Sequence, residues 1–355
     1  MLDEAGIIRL LNKAFANGEW PTVRMFPGDK KGRDPESFSS ANIIGILDRC
    51  SIHDRQLLAN IDRAKEKQKE YQRDHLTYFW PFSRGYSIVP DAPFLSRLTA
   101  AALSPDADCT CLSQIVQRDR AMADKVTEEL VFYRNDGKRF QLPKFQRGLP
   151  SAENTFLTWF PPRERCRNRK PETIDLGVDA NILWFLGSFG LLSIPGARET
   201  IRFIRDVLST DLIFTDTFKV AMFYQHPPLI LYLVSRAVHW GKIEALYSMR
   251  KRILQLAGQI RPSNMWDRLL LASIGLYWES PQCVQLHIEA LEKTVPEPAL
   301  FCTAPCLGWL VLRKPIFEAL ARKPWASVKF ESQALHLALL LWFRQELRRE
   351  TVRKS

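Results

Sequence analysis

Ser104-Pro105-Asp106-Ala107-Asp108-Cys109-Thr110-Cys111 reads as the start of a helix in a chain that is helical almost throughout. Ser104 suits the N-cap, and Pro105 suits the first helical position, where its missing N–H and fixed φ cost nothing. Asp106 and Asp108 then fall in the first turn, where a carboxylate gains about 0.3–1 kcal/mol from the helix dipole. A capped helix start explains the segment structurally. The same residues also suit acid chemistry, because a carboxyl held protonated in an apolar site is a strong, poorly hydrated acid. A second carboxyl beside it can share the proton and turn its lone pairs. Two residues apart, Asp106 and Asp108 would point to different sides of a regular helix, so sharing one site requires an irregular turn at Pro105.

Apolar residues recur at helical spacing on both sides of this segment, and alternating strand patterns are scarce. The spacing predicts helices near 2–17, 38–50, 54–72, 93–103, 106–130, 177–192, 197–208, 227–240, 242–258, 265–278, 281–294 and 331–348. Helices in this number, paired by short connections, form an all-α array of hairpins, and the count fits one closed ring of six, an (α/α)6 barrel or α/α toroid, over residues 1–355. An irregular insertion near 131–176 is too long for an ordinary helix link. It holds Tyr133-Arg134-Asn135-Asp136-Gly137, a turn signal expected to join two short strands, then Thr155-Phe156-Leu157-Thr158-Trp159-Phe160 and a basic run. Two further irregular stretches run from Tyr78 to Pro93, with Phe79, Trp80, Phe82 and Tyr86, and from Val295 to Val328. Aromatic loops of this length cover a pocket rim or a helix end. Glu331-Ser332 is expected to open the last helix, and 349–355 to form a flexible basic tail.

At 355 residues and 46% hydrophobic, the chain affords a core of ordinary size. Fifty Lys and Arg against 39 acids give a net charge of +11, which suits an anionic ligand, a membrane surface or nucleic acid. No nucleic-acid reader motif accompanies the charge, so nucleic acid is not expected as a partner. The seven cysteines, Cys50, Cys109, Cys111, Cys166, Cys283, Cys302 and Cys306, are odd in number and lack secreted-scaffold spacing. They read as reduced thiols of a cytoplasmic protein. Met1 to Ala5 is acidic and unlike a signal peptide, and no apolar run approaches the roughly twenty uncharged residues of a spanning helix. Phosphate loops, dinucleotide fingerprints, G-x-S-x-G elbows and DDxxD runs are all missing from the sequence.

Four segments in order resemble the terpenoid cyclase and prenyltransferase toroid superfamily, in an uncharacterised prenyltransferase-like branch, over about residues 75 to 345. Asp106-Ala107-Asp108-Cys109-Thr110 looks like the aspartate-rich acid motif of class II terpenoid cyclases. Thr155 to Trp159 resembles the threonine-tryptophan segment that follows. Val178-Asp179-Ala180-Asn181 is similar to a valine-asparagine-alanine-asparagine helix start, and Phe223-Tyr224-Gln225-His226-Pro227 with Leu231 to Arg236 resembles a tyrosine-proline turn leading to a serine-arginine helix.

The resemblance implies proton-initiated cyclisation of an isoprenoid or related apolar polyene, with Asp108 as general acid and Asp106 as its partner. Cys109 stands where the family has a third aspartate, and a thiol supplies no second anion near neutral pH unless its pKa is strongly lowered. Cation chemistry also needs aromatic walls. Trp80, Trp159, Trp184, Tyr224 and Trp266 fall beside the motif segments, with Asp179, Asn181 and His226 as polar lining, although core packing and capping explain each of these taken singly. Asp267 reads as a helix-start residue. Arg134, Lys138 and Arg139 are candidates to anchor an anionic headgroup, with peripheral membrane contact where the substrate is collected from lipid. No cofactor is expected for the proton-initiated step, with Mg2+ assisting if the substrate is a diphosphate. The alternatives are a non-catalytic toroid that binds a lipophilic ligand or protein partner, a carbohydrate-active enzyme, and zinc-dependent prenyl transfer through Asp108, Cys111 and His336.

Overall fold

Residues 176–186 are buried without exception, as expected of a helix that is apolar apart from Asp179 and Asn181 and has no solvent face. The same holds for 37–47 and 228–238. A computed structural model describes residues 2–25, 31–81, 104–166, 170–293, 297–305 and 318–354. Among them, twelve helices of ten residues or more alternate along the chain between an outer and an inner layer. They are α1 (Glu4–Ala14), α2 (Ser37–Leu47), α3 (Arg55–Gln68), α4 (Ala107–Gln117), α5 (Arg120–Phe132), α6 (Leu176–Ser188), α7 (Ala197–Leu208), α8 (Pro227–Trp240), α9 (Arg250–Gln259), α10 (Met265–Tyr277), α11 (Pro281–Lys293) and α12 (Gln333–Lys354).

The even-numbered helices form the inner ring. Each packs on the next, and α12 returns to α2, so the ring is closed. The odd-numbered helices lie outside them, with α1 packed on α12 and α3. The chain is therefore an α/α toroid. The amphipathic outer helix α7 buries Thr200, Phe203, Ile204, Val207 and Leu208, a stripe at helical spacing, whereas the inner helices carry no such polar face. Close approach of α6 to α8 depends on two glycines. A Cβ on Gly187 would overlap the carbonyl of Gly241.

Several boundaries differ from the sequence reading. Residues 106–130 form two helices, because Arg118 adopts a left-handed φ of 58° that closes α4, and the Asp119 carboxylate then accepts the Met122 N–H at 3.1 Å to open α5. The stretch 244–249 is a 3-10 turn leading into α9. Residues 349–354, expected as a flexible tail, continue α12. The helix expected at 93–103, with Phe82 and Tyr86, lies outside the described residues.

A four-stranded antiparallel sheet appears where no strand pattern was read. It is built from β1 (Thr22–Met25), β2 (Lys31–Asp34), β3 (Ala299–Pro305) and β4 (Ser327–Ser332) in the order β2-β1-β4-β3. Glu331 and Ser332 end β4, and Ser332 also opens α12 as expected, its hydroxyl capping the helix by accepting the Leu335 N–H at 3.2 Å. In the 131–176 insertion, the expected hairpin is replaced by a short parallel pairing of Phe140–Gln141 with Lys170–Pro171. The Asp136 carboxylate closes the turn by accepting the Lys138 and Arg139 N–H groups at 2.9 and 2.8 Å.

Candidate functional site

The helix α4 starts two residues later than the sequence suggests, and this places the acids. Asp106 itself is the N-cap, with extended backbone (φ −109°, ψ 154°), and its carboxylate accepts the Cys109 N–H at 2.6 Å. Because Asp106 lies outside the helix proper, it and Asp108 enter one buried site that a regular helix would deny them. The insertion holds this start in place. Thr158 C=O accepts the Ala107 N–H, and Pro105 C=O accepts the Phe160 N–H, both at 2.9 Å, so two backbone groups at the start of α4 are paired by the loop.

Asp108 is 6% exposed. Asn181, on α6, donates its amide to Asp108 Oδ1 at 2.6 Å, and the Tyr224 hydroxyl, from the turn before α8, donates to Oδ2. Gly177 makes room for the Tyr224 ring, since a Cβ there would overlap it. Behind Asn181 stands Arg236 of α8, 1% exposed, which donates to the side-chain carbonyls of Asn181 and, at 2.7 Å, of Asn42. Its guanidinium lies 4.4 Å from the centre of the Trp184 ring. A hydrogen-bonded row, Arg236 to Asn181 to Asp108, thus links a buried cation to the acid.

Burial, followed by the charge of Asp106, pushes the Asp108 carboxyl well above the usual range, while Tyr224 and Asn181 pull it down. Burial raises Asp106 to about 6 against the pull of the Cys109 N–H. Asp106 Oδ2 is buried without a hydrogen-bond partner among the described residues. Burial and then both carboxylates raise the Cys109 thiol well above its ordinary value. At neutral pH, Cys109 is therefore an uncharged thiol and adds no third carboxylate. The arrangement can hold a proton on Asp108 and stabilise the carboxylate left when that proton departs.

The other sequence candidates separate. Trp159 bridges to Asp106 through its backbone, and its ring meets Phe223 edge-on at 5.6 Å. Trp266 donates its indole N–H to Leu300 C=O at 3.0 Å and lines a narrow axial cavity with Phe38, Tyr224, Leu229, Tyr232 and Arg236. Phe301 of β3 stacks on Phe38, whose ring is 5.9 Å from Tyr224, so the sheet roofs the approach to Asp108. The cavity offers only 10 Å³ to the centre of a water-sized sphere, enough for about one water.

Trp80 is bound to Asp34 at 3.0 Å, on the sheet side. His226 Nε2 lies 2.9 Å from Asp267 Oδ1 instead of reaching Asp108. Asp179 is not a cap, a role taken by Asp175. Both Asp179 oxygens are buried without a hydrogen-bond partner among the described residues, and burial raises its pKa well above normal. Arg134 donates to Val131 C=O, and Arg139 pairs with Asp136 at 2.7 Å. His336 Nδ1 lies 2.7 Å from Glu297 C=O, and among the described residues no three His, Cys, Asp or Glu side chains gather as a metal-binding group. Sequence reasoning missed Asn42 and gave Arg236 no role. A lone arginine in the apolar run Leu229 to Val238 was the available signal.

No family model matches the sequence, and no curated protein matches it. Solved structures do match. Apo type II terpene cyclase MstE from Scytonema superposes with a TM-score of 0.57 over 97% of this chain and 97% of that one, at 11% identity. The chain shares the α/α toroid fold of that enzyme. A variant of MstE in complex with geranylgeranyl dihydroxybenzoate, its substrate, matches with a TM-score of 0.57 at 12% identity, over 97% of this chain and 95% of that one. A further variant in complex with the product merosterolic acid A gives 0.55 at 10% identity, over 96% and 95%. Among the described residues, no helix is long and apolar enough to cross a membrane.

Proposed function

We propose that this protein is a proton-initiated cyclase of an isoprenoid or related apolar polyene, with Asp108 as the general acid. The observation that carries this reading is the environment of Asp108: a desolvated carboxyl with a second carboxyl beside it and two neutral donors on its oxygens. Transfer of the Asp108 proton to a terminal alkene or epoxide leaves a tertiary cation on the substrate and a carboxylate on Asp108. Tyr224 and Asn181 stabilise that carboxylate through their hydrogen bonds, and Arg236 holds the Asn181 amide in place. Ring closure moves the cation along the chain, loss of a proton to water ends it, and Asp108 regains a proton from water, so for an alkene the net reaction is an isomerisation. The step from Asp108 needs no cofactor, while Mg2+ would assist with a diphosphate headgroup.

A ligand pocket ordinarily measures roughly 300 Å³ or more, so a polyene using the axial cavity has to swing Phe38, Trp266 and Phe301 off the axis. That narrowness, with an uncharged Cys109 in the motif, favours a second reading: a toroid that binds a lipophilic ligand without turning it over. The two are separated by incubating purified protein with linear and epoxidised isoprenoids, with and without a diphosphate, and comparing wild type with Asp108→Asn by mass spectrometry. A cyclic product lost in the variant supports the acid role. No turnover, with equal binding of an apolar ligand by both forms, rejects it and supports the binding toroid.

A further inference from the structure

The geometry points to a second binding site, at the opposite end of the ring from Asp108, that takes a flat apolar anion. The inner helices run in one direction, so their starts surround Asp108 and their ends surround a separate pocket of 450 Å³ between α2, α4, α6 and α8. That volume falls within the ordinary range of small-molecule sites, roughly 300–1,000 Å³. Trp184 and Trp240 line it, their rings 5.2 Å apart, and Arg49, Arg118 and Lys242 surround them.

The charge is unbalanced. Asp48 is the pocket's only carboxylate among its described lining residues, and it is already held by Lys65 at 3.1 Å and Arg118 at 3.2 Å. Neither Arg49 nor Lys242 has a carboxylate partner among the described residues, and Arg49 lies instead 5.3 Å from the Trp240 ring centre. Cations do complement helix C-termini. Here the helix-end carbonyls of Ala237 and Val238 are already taken by the Gly241 and Ile243 N–H groups, so neither needs a hydrogen bond from the Lys242 side chain.

Two further features fit an acceptor-bearing aromatic guest. Trp184 is 1% exposed, yet its indole N–H, on a ring that lines the pocket, finds no acceptor among the described residues. Arg118 and Lys242 both hold positive φ, 58° and 55°, where a long side chain gains nothing locally and glycine is ordinarily favoured. An aromatic or similarly flat carboxylate, sulfonate or phosphate would pack against the partly exposed Trp240 ring, accept from Trp184 and pair with Arg49 and Lys242.

The test titrates the full chain with naphthalene-2-sulfonate and with its uncharged analogue naphthalene-2-methanol, following tryptophan fluorescence and calorimetry, on wild type, Arg49→Gln/Lys242→Gln and Asp108→Asn. The anion is expected to bind wild type and Asp108→Asn alike, and the alcohol at least tenfold more weakly. The exposed double variant, checked for an unchanged melting curve, is expected to lose at least tenfold for the anion. Equal affinity for anion and alcohol, an unchanged double variant, loss in Asp108→Asn, or no binding of the anion at millimolar concentration overturns the proposal.

Discussion

Replacing Asp106 with asparagine is expected to stabilise the protein by an amount that grows with pH. The carboxyl moves from 3.8 in an unfolded chain to about 6 when buried in the native one. Between those values the native state binds a proton that the unfolded state has released, so stability falls as pH rises. At about 1.4 kcal/mol per pH unit, the shift amounts to about 3 kcal/mol at pH 8, about 1.6 kcal/mol at pH 5 and about 0.6 kcal/mol at pH 4. Asparagine is as good an N-cap as aspartate and keeps an oxygen for the Cys109 N–H. Its amide nitrogen occupies the place of Oδ2, which has no partner to lose. Any packing cost of that nitrogen is the same at every pH and leaves the slope untouched. Urea unfolding of wild type and Asp106→Asn at pH 4, 5, 6 and 8 reads the difference directly. The advantage of the variant should widen by about 2.5 kcal/mol from pH 4 to pH 8 and flatten above pH 7. A difference independent of pH, or one that shrinks as pH rises, refutes the burial argument for this carboxyl.

Tyr224→Phe removes a donor worth roughly 1.5–3 kcal/mol to the Asp108 carboxylate, which weakens the acid by about 1–2 pH units. In a pH profile of cyclic-product formation, the alkaline limb is expected to move up by that amount as the maximal rate falls, and a limb that stays put excludes Asp108 as the titrating acid. Gly187→Ala forces α6 away from the Gly241 carbonyl and is expected to cost roughly 1–3 kcal/mol or more. Gly258→Ala, a helical glycine with open space around its Cα, is expected to gain up to about 1 kcal/mol, and paired thermal melts compare them. Cys109 and Cys111 are buried with raised pKa values, so iodoacetamide at pH 7.5 should leave both unmodified in the native protein, as peptide mass mapping would show.

The ring was readable because inner helices such as α2, α6 and α8 are largely apolar around their circumference and outer helices such as α7 on one face, a contrast that survives without any alignment. The sheet was not. Its strands β1 and β2 are four residues long, and in β4 the alternation is confined to Val328-Lys329-Phe330-Glu331, too short a run to stand out. The acid pair was visible as residues but not as geometry. Ser104-Pro105 offered an acceptable cap, and only the loop strands that pair with Pro105 and Ala107 shift the true cap to Asp106. Tyr224 and Asn181 were legible from their motif segments. The role of Arg236 depends on Asn42, 194 residues away, a juxtaposition no local pattern encodes.

Closure of the ring also has a temporal side. The Gln345 side chain of α12 accepts the Ser51 N–H at 2.7 Å and donates to Ser51 C=O at 3.1 Å, fastening the end of α2 to a helix synthesised 294 residues later. At roughly 5–20 residues per second of translation, the apolar flank of α2 waits roughly 15–60 s for its neighbour. Each earlier inner helix can settle on the one before it as it emerges, but the first has an uncovered side until the last arrives. A nascent chain of this protein is therefore an open arc with one sticky edge, the kind of surface that holdase chaperones bind, and truncation before residue 333 would leave it in that state permanently.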